Sequence, residues 1–156
     1  MCSDVCENCV KRALYGFQPG RLQAARQRSG MSRGELGRLA DIDETTILRW
    51  ETGHGAPQPD LLARTAKILE IELDQLVVID PAERTLADLR VLAGLTQQQL
   101  GSRIGTSYQT VSRVERGQSR LSDTLADRIA GAVGVDRAIV VDAHQRTRTR
   151  PPGARV

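Results

Sequence analysis

The sequence predicts an all-α chain built from two tandem copies of one small domain, each of about five short helices. Three observations predict this. The chain has 156 residues and only four aromatic side chains, Tyr15, Phe17, Trp50 and Tyr108, so its cores must be aliphatic. Leu, Ala and Arg are abundant and β-branched runs are few, which favours helices over sheet. Finally, the chain matches itself without gaps when shifted by 64 residues. Leu22 falls on Leu86, Arg26 on Arg90, Leu36 on Leu100 and Gly37 on Gly101; Thr46 falls on Thr110, Arg49 on Arg113, Glu51 on Glu115, Gly53 on Gly117 and Arg64 on Arg128. A gapless match of this length is a duplicated domain. Each copy, at about 55–60 residues, lies near the lower limit for independent folding.

The repeat sets the organisation. A cysteine-containing segment (1–20) precedes a first domain (21–79), a link (80–84) broken by Pro81, a second domain (85–141) and a tail (142–156). The tail ends HQRTRTRPPGARV, and its Arg, Pro and Gly content predicts disorder.

Punctuation marks each helix in order. In the first copy an amphipathic segment from about Arg21 to Arg28 stops at Gly30. Ser32 followed by Glu35 is a capping box that opens a helix to about Ala40. Asp43 caps a helix from Glu44 to Thr52, ended by Gly53. Pro57 and Pro59 mark a loop before a longer helix from about Asp60 to Glu70. The second copy repeats the grammar: Thr96 with Gln99 is the capping box, Ser107 caps the next helix, Gly117 ends it, and Ser122 and Asp136 cap the last two. Leu36, Ala40 and Ile47, with Leu100, Ile104 and Val111, sit at helical spacings that face a core. Trp50, at the position of Val114, belongs to the same inward side.

Two short helices with a three-residue connection, the second bounded by a small cap and a Gly, form a helix-turn-helix. It occurs twice, as SRGELGRLADIDETTILRWETG (Ser32–Gly53) and TQQQLGSRIGTSYQTVSRVERG (Thr96–Gly117). Both segments resemble the Cro/repressor (XRE-type) helix-turn-helix family, the second closely, the first with departures. The resemblance spans residues 21–78 and 85–141 and implies two lambda-repressor-like domains that bind double-stranded DNA. It also implies ion pairs between Arg26 and Glu51 and between Arg90 and Glu115, tying the first helix of each copy to its recognition helix.

The recognition helix of such a fold enters the major groove by its N-terminal residues. By resemblance the base-reading positions are Glu44, Thr45 and Arg49 in the first copy, and Tyr108, Gln109 and Arg113 in the second. Their chemistry differs. Gln109 can bond an adenine edge in bidentate fashion, and Arg113 a guanine edge. Ser107, Thr110 and Ser112 offer hydroxyls, and Arg116 and Arg120 follow where the chain meets the DNA backbone. The first copy presents Asp43 and Glu44 instead, and a carboxylate repels phosphate. Helix N-termini attract phosphate, which assigns backbone contacts to Gln97 and Gln98 in the second copy and Arg33 in the first. Charge follows the same trend. Residues 21–77 carry eight basic and nine acidic side chains, residues 85–141 seven and five, and the tail four and one. Positive charge, and so phosphate attraction, accumulates toward the C-terminus; the tail itself is a candidate for non-specific DNA affinity.

Cys2, Cys6 and Cys9 are the only cysteines, in C-x3-C-x2-C spacing. The alternatives are incidental thiols, a zinc site completed by His54, His144 or a partner's ligand, an open three-cysteine iron–sulfur cluster, or a reversible disulfide switch.

Nothing in the sequence provides a Ser/His/Asp set, a phosphate-binding Gly loop or a paired-carboxylate cleft, so no enzyme is expected. No apolar run approaches the roughly 18 residues of a membrane span, and no secretory signal is expected, which makes the cytoplasm the default compartment. The leading expectation is a sequence-specific transcription regulator, a repressor in sign, reading bases mainly with the second recognition helix, alone or as a homodimer. The alternative is a protein-interaction adaptor, antitoxin-like, that uses the fold to hold a partner protein.

Overall fold

A computed structural model describes residues 14–152 and divides the chain into two units, the boundary falling between Val78 and Ile79. The first unit holds helices α1 (Pro19–Arg28), α2 (Arg33–Ala40), α3 (Glu44–Glu51) and α4 (Pro59–Ile68), then a single 3-10 turn at Leu73–Gln75. The second opens with a 3-10 turn at Pro81–Glu83 and continues through α5 (Leu86–Leu92), α6 (Gln97–Ile104), α7 (Tyr108–Glu115), α8 (Asp123–Val133) and α9 (Arg137–Thr149). The architecture is all-α in both units.

The expected caps are in place. Ser32 and Thr96 each close a full capping box, with Glu35 and Gln99 as the returning side chains. Asp43 accepts from the Thr45 amide at 2.8 Å, Ser107 from Thr110 at 3.3 Å and Ser122 from Leu125 at 3.2 Å. Asp136 occupies the N-cap of α9 without a side-chain bond. α1 starts two residues earlier than the apolar pattern suggested, because Pro19 suits a first helical turn that needs no N–H.

The turn between the two helices of each motif requires glycine. A Cβ at Gly101 would lie 2.8 Å from the Thr106 carbonyl, and one at Gly37 would meet the Ile42 carbonyl in the same way. Each turn is closed by a bond back to that glycine, Ile42 N–H to the Gly37 carbonyl and Thr106 N–H to the Gly101 carbonyl, both 2.8 Å. Arg64 donates to the Ala40 carbonyl at 2.9 Å and its repeat partner Arg128 to the Ile104 carbonyl at 3.3 Å. Each covers an orphan carbonyl at the end of a motif helix. The cores are aliphatic as expected: Leu36, Ala40 and Ile47 are fully buried, Leu100, Ile104 and Val111 nearly so, and Trp50 is 3% exposed in the place of Val114.

The copies diverge after their fourth helix. In the second unit α9 packs on α5, α7 and α8. In the first, the aligned stretch leaves its 3-10 turn and runs extended beside the start of α1. Phe17 and Val77 form an isolated antiparallel bridge, flanked by Gln18 N–H to the Leu76 carbonyl at 2.9 Å and Val78 N–H to the Gly16 carbonyl at 2.8 Å. The run Val77-Val78-Ile79 disfavours helix, and Pro81 would break one and bias Asp80 toward extended backbone.

Two expected segments are corrected. The link 80–84 folds as part of the second unit, where Arg84 donates to the Ile79 carbonyl at 3.2 Å and its own carbonyl accepts from Arg146 at 2.7 Å. The tail from 142 is not disordered through 149: it is the second half of α9. Val140, Ala143, His144 and Thr147 are all buried, an i, i+3, i+4, i+7 stripe that gives the basic segment a core face. Residues 153–156 lie outside the described residues.

Candidate nucleic-acid interface

Each recognition helix is fixed from behind by one buried carboxylate. In the second unit Glu115 Oε1 accepts from Arg90 Nε at 2.6 Å and Oε2 from Arg90 Nη2 at 3.3 Å, while Arg90 Nη1 donates to the Leu95 carbonyl at 2.8 Å. In the first, Arg26 meets Glu51 at 2.6 and 3.2 Å and the Met31 carbonyl at 2.8 Å. The side chains of Glu51 and Glu115 are 1% and 6% exposed. The cluster ties the first helix, the entry to the second and the end of the third into one frame. Such a pair sets geometry more than it adds stability.

A third donor, from a residue expected at the DNA backbone, completes each cluster. Arg33 Nε donates to Glu51 Oε2 at 2.7 Å, and its repeat partner Gln97 Nε2 donates to Glu115 Oε2, also at 2.7 Å. Both side chains therefore serve the carboxylate rather than projecting freely from the helix start. The signal was present: both follow a cap directly and both precede their Glu by 18 residues. Burial alone would raise the Glu51 carboxyl, but the hydrogen bonds and charges of Arg26 and Arg33 outweigh it and hold the group below its ordinary value.

The outer surface of α7 gathers most of the expected base-reading set. Tyr108 is 54% exposed, and Gln109 and Arg113 are exposed beside it. Ser107 is exposed at the cap, its hydroxyl 3.1 Å from that of half-buried Thr110. Arg116 and Arg120 are exposed in and after the last turn, and Gln98 is exposed in the first turn of α6. Ser112 is a correction. It is 7% exposed, next to buried Val111, so little of it is open beside Gln109 and Arg113.

The first unit presents a different surface. Glu44, Thr45 and Arg49 are exposed on α3 as expected. The Glu44 carboxylate, however, reaches back to the start of α2, where a Cβ added at Gly34 would lie 3.5 Å from its Oε2. Both motif helices of this unit carry an acid in their first turn, Glu35 and Glu44, whereas α6 and α7 carry none. Leu39 and Leu48 stand 47% and 40% exposed, where the second copy has Arg103 and Ser112.

Cys2, Cys6 and Cys9 lie outside the described residues. Among the described residues no group of three or more His, Cys, Asp or Glu is arranged to hold a metal ion. His54 Nδ1 lies 3.1 Å from the Thr52 hydroxyl, and His144 Nε2 bonds the Ser119 carbonyl at 3.0 Å. No helix among the described residues is long and apolar enough to cross a membrane.

The helix-turn-helix family matches the chain twice, at residues 22–76 and 86–140. The chain belongs to that family, of the XRE type, as a tandem duplicated domain, and is a DNA-binding helix-turn-helix regulator. No curated protein matches this sequence.

Proposed function

We propose that this chain is a sequence-specific transcription regulator, a repressor in sign, whose base reading rests on α7 of the second unit. One observation carries the reading. Both motif helices of the second unit begin without a carboxylate, while those of the first begin with Glu35 and Glu44. A helix N-terminus favours an anion, and an acid already there competes with phosphate. On this reading Gln109 and Arg113 address base edges, with Tyr108 beside them at the tip. The first amides of α6, at Gln97 and Gln98, together with the Ser107 and Thr110 hydroxyls and the Arg116 and Arg120 guanidinium groups, hold the phosphates. Binding over a promoter excludes polymerase by occupancy, and a homodimer would read two half-sites.

Exposed Leu39 and Leu48 favour a second reading for the first unit, as a surface for a protein partner or a second copy of the chain. Glu44, Thr45 and Arg49 then serve that contact rather than DNA. Selection of bound duplexes from a random library, under reducing conditions with and without zinc or iron, tests both readings. A palindromic consensus supports a dimer of second units. Two unlike half-sites would give base reading to both copies. No enrichment, with no binding of random duplex at low salt, would favour the adaptor.

A further inference from the structure

The basic end of α9 is a built part of the second unit. His144 Nε2–H donates to the Ser119 carbonyl at 3.0 Å, in the loop that leaves the recognition helix. One turn on, Thr147 and Arg148 pack on Gly117: a Cβ there would meet Arg148 Cγ at 3.2 Å and Thr147 Cγ2 at 3.3 Å. Gly117 has φ +72°, so its left-handed backbone and the close approach of α9 both call for glycine. The Arg148 stem is thereby laid against the residue that follows Arg116 and precedes the loop to Arg120. All three arginines are exposed. Among the described residues none of the three takes part in an ion pair. No acid occurs in 116–122 or in 143–152, and Glu115 is buried on Arg90.

We propose that α9 completes the phosphate-binding surface of the second unit, with Arg148 contacting the DNA backbone beside Arg116 and Arg120. The inference rests on α7 being the base-reading helix. His144 is a positioning residue here: it anchors the loop whose path sets where Arg120 stands. The first unit has no counterpart, since its aligned stretch forms the 3-10 turn and extended segment instead.

The test is the salt dependence of duplex binding by the full chain, wild type against Arg148→Ala and Arg148→Lys, on a library-selected duplex and on random duplex. Each phosphate neutralised contributes about 0.9 to the slope of log K against log salt. Arg148→Ala is expected to lower the slope by about one and to weaken selected and random DNA by the same factor, while Arg148→Lys keeps the wild-type slope. An unchanged slope in Arg148→Ala would overturn the proposal while leaving the role of α7 intact. A loss confined to the selected duplex would overturn it too, by making Arg148 a base reader. Wild type that binds neither duplex at low salt would overturn both readings. Because the Arg148 side chain is exposed beyond the stem that packs on Gly117, Arg148→Lys, which keeps that stem, is expected to unfold at the wild-type denaturant midpoint.

Discussion

Glu115 takes both arms of the Arg90 fork, Nε at 2.6 Å and Nη2 at 3.3 Å, and so joins the first helix of the second unit to the last turn of its recognition helix. The same joint recurs 64 residues earlier between Arg26 and Glu51. Duplication has kept the frame while the surfaces in front of it diverged.

Removing one partner strands the other. Glu115→Ala leaves the Arg90 guanidinium, itself 10% exposed, without its carboxylate. Truncating one side of a buried pair costs about 3–5 kcal/mol. Urea unfolding followed by circular dichroism is expected to show a loss of that order in the second unit. A loss below about 1 kcal/mol would mean that the pair is effectively solvated.

Acid should weaken the first unit through Glu51. Its carboxyl is held below the ordinary value of 4.5, against burial, by Arg26 and Arg33. A carboxyl whose pKa is lowered by folding stabilises the fold above its ordinary pKa and loses that contribution as pH falls through the folded value. The loss is therefore expected below pH 4.5. Trp50 is the only tryptophan and is 3% exposed in the first unit, so its fluorescence reports this unfolding. Glu51→Gln should show a flatter acid limb than wild type; an equally steep one would contradict the assignment.

Two glycines of the second unit should respond with opposite signs. Gly101→Ala drives a Cβ to 2.8 Å from the Thr106 carbonyl and is expected to cost about 1–3 kcal/mol. Gly131→Ala meets nothing within 4 Å inside α8 and is expected to stabilise by about 0.5–1 kcal/mol. Thermal unfolding of the two variants checks both; equal midpoints would mean that the motif turn is not the tight site.

Glu44 should hold DNA away from the first unit. With its carboxylate beside Gly34 at the start of α2, Glu44→Gln removes a repulsive charge from a helix N-terminus. Affinity for random duplex at low salt is expected to rise about twofold to fivefold. An unchanged affinity would place that surface away from DNA.

Much of the fold was legible because it is written in local rules. The capping boxes at Ser32 and Thr96, the glycine stops and the repeated core positions each depend on neighbours within one or two turns. What local rules do not show is what a distant group decides. Gln97 and Arg33 stand at a helix start, and a carboxylate 18 residues away accepts from the side chain of each, Gln97 Nε2 and Arg33 Nε. Ser112 lies three residues from both exposed Gln109 and buried Glu115, so spacing alone does not decide its burial; packing leaves it 7% exposed. The Arg-rich composition of 142–150 masked the Val140, Ala143, His144, Thr147 stripe, and with it α9. On α7, the exposure of Tyr108, Gln109 and Arg113 was legible because helix phase alone places them opposite buried Val111 and Val114.

Under the proposed function the second recognition helix reads bases and the first does not. The direct measurement is affinity for a library-selected duplex and for random duplex, comparing Arg113→Ala with its repeat partner Arg49→Ala. Arg113→Ala is expected to lose about 1–3 kcal/mol on the selected duplex and little on random DNA, with Arg49→Ala close to wild type on both. Equal losses on both duplexes for Arg113→Ala, or a selective loss for Arg49→Ala instead, would contradict the account.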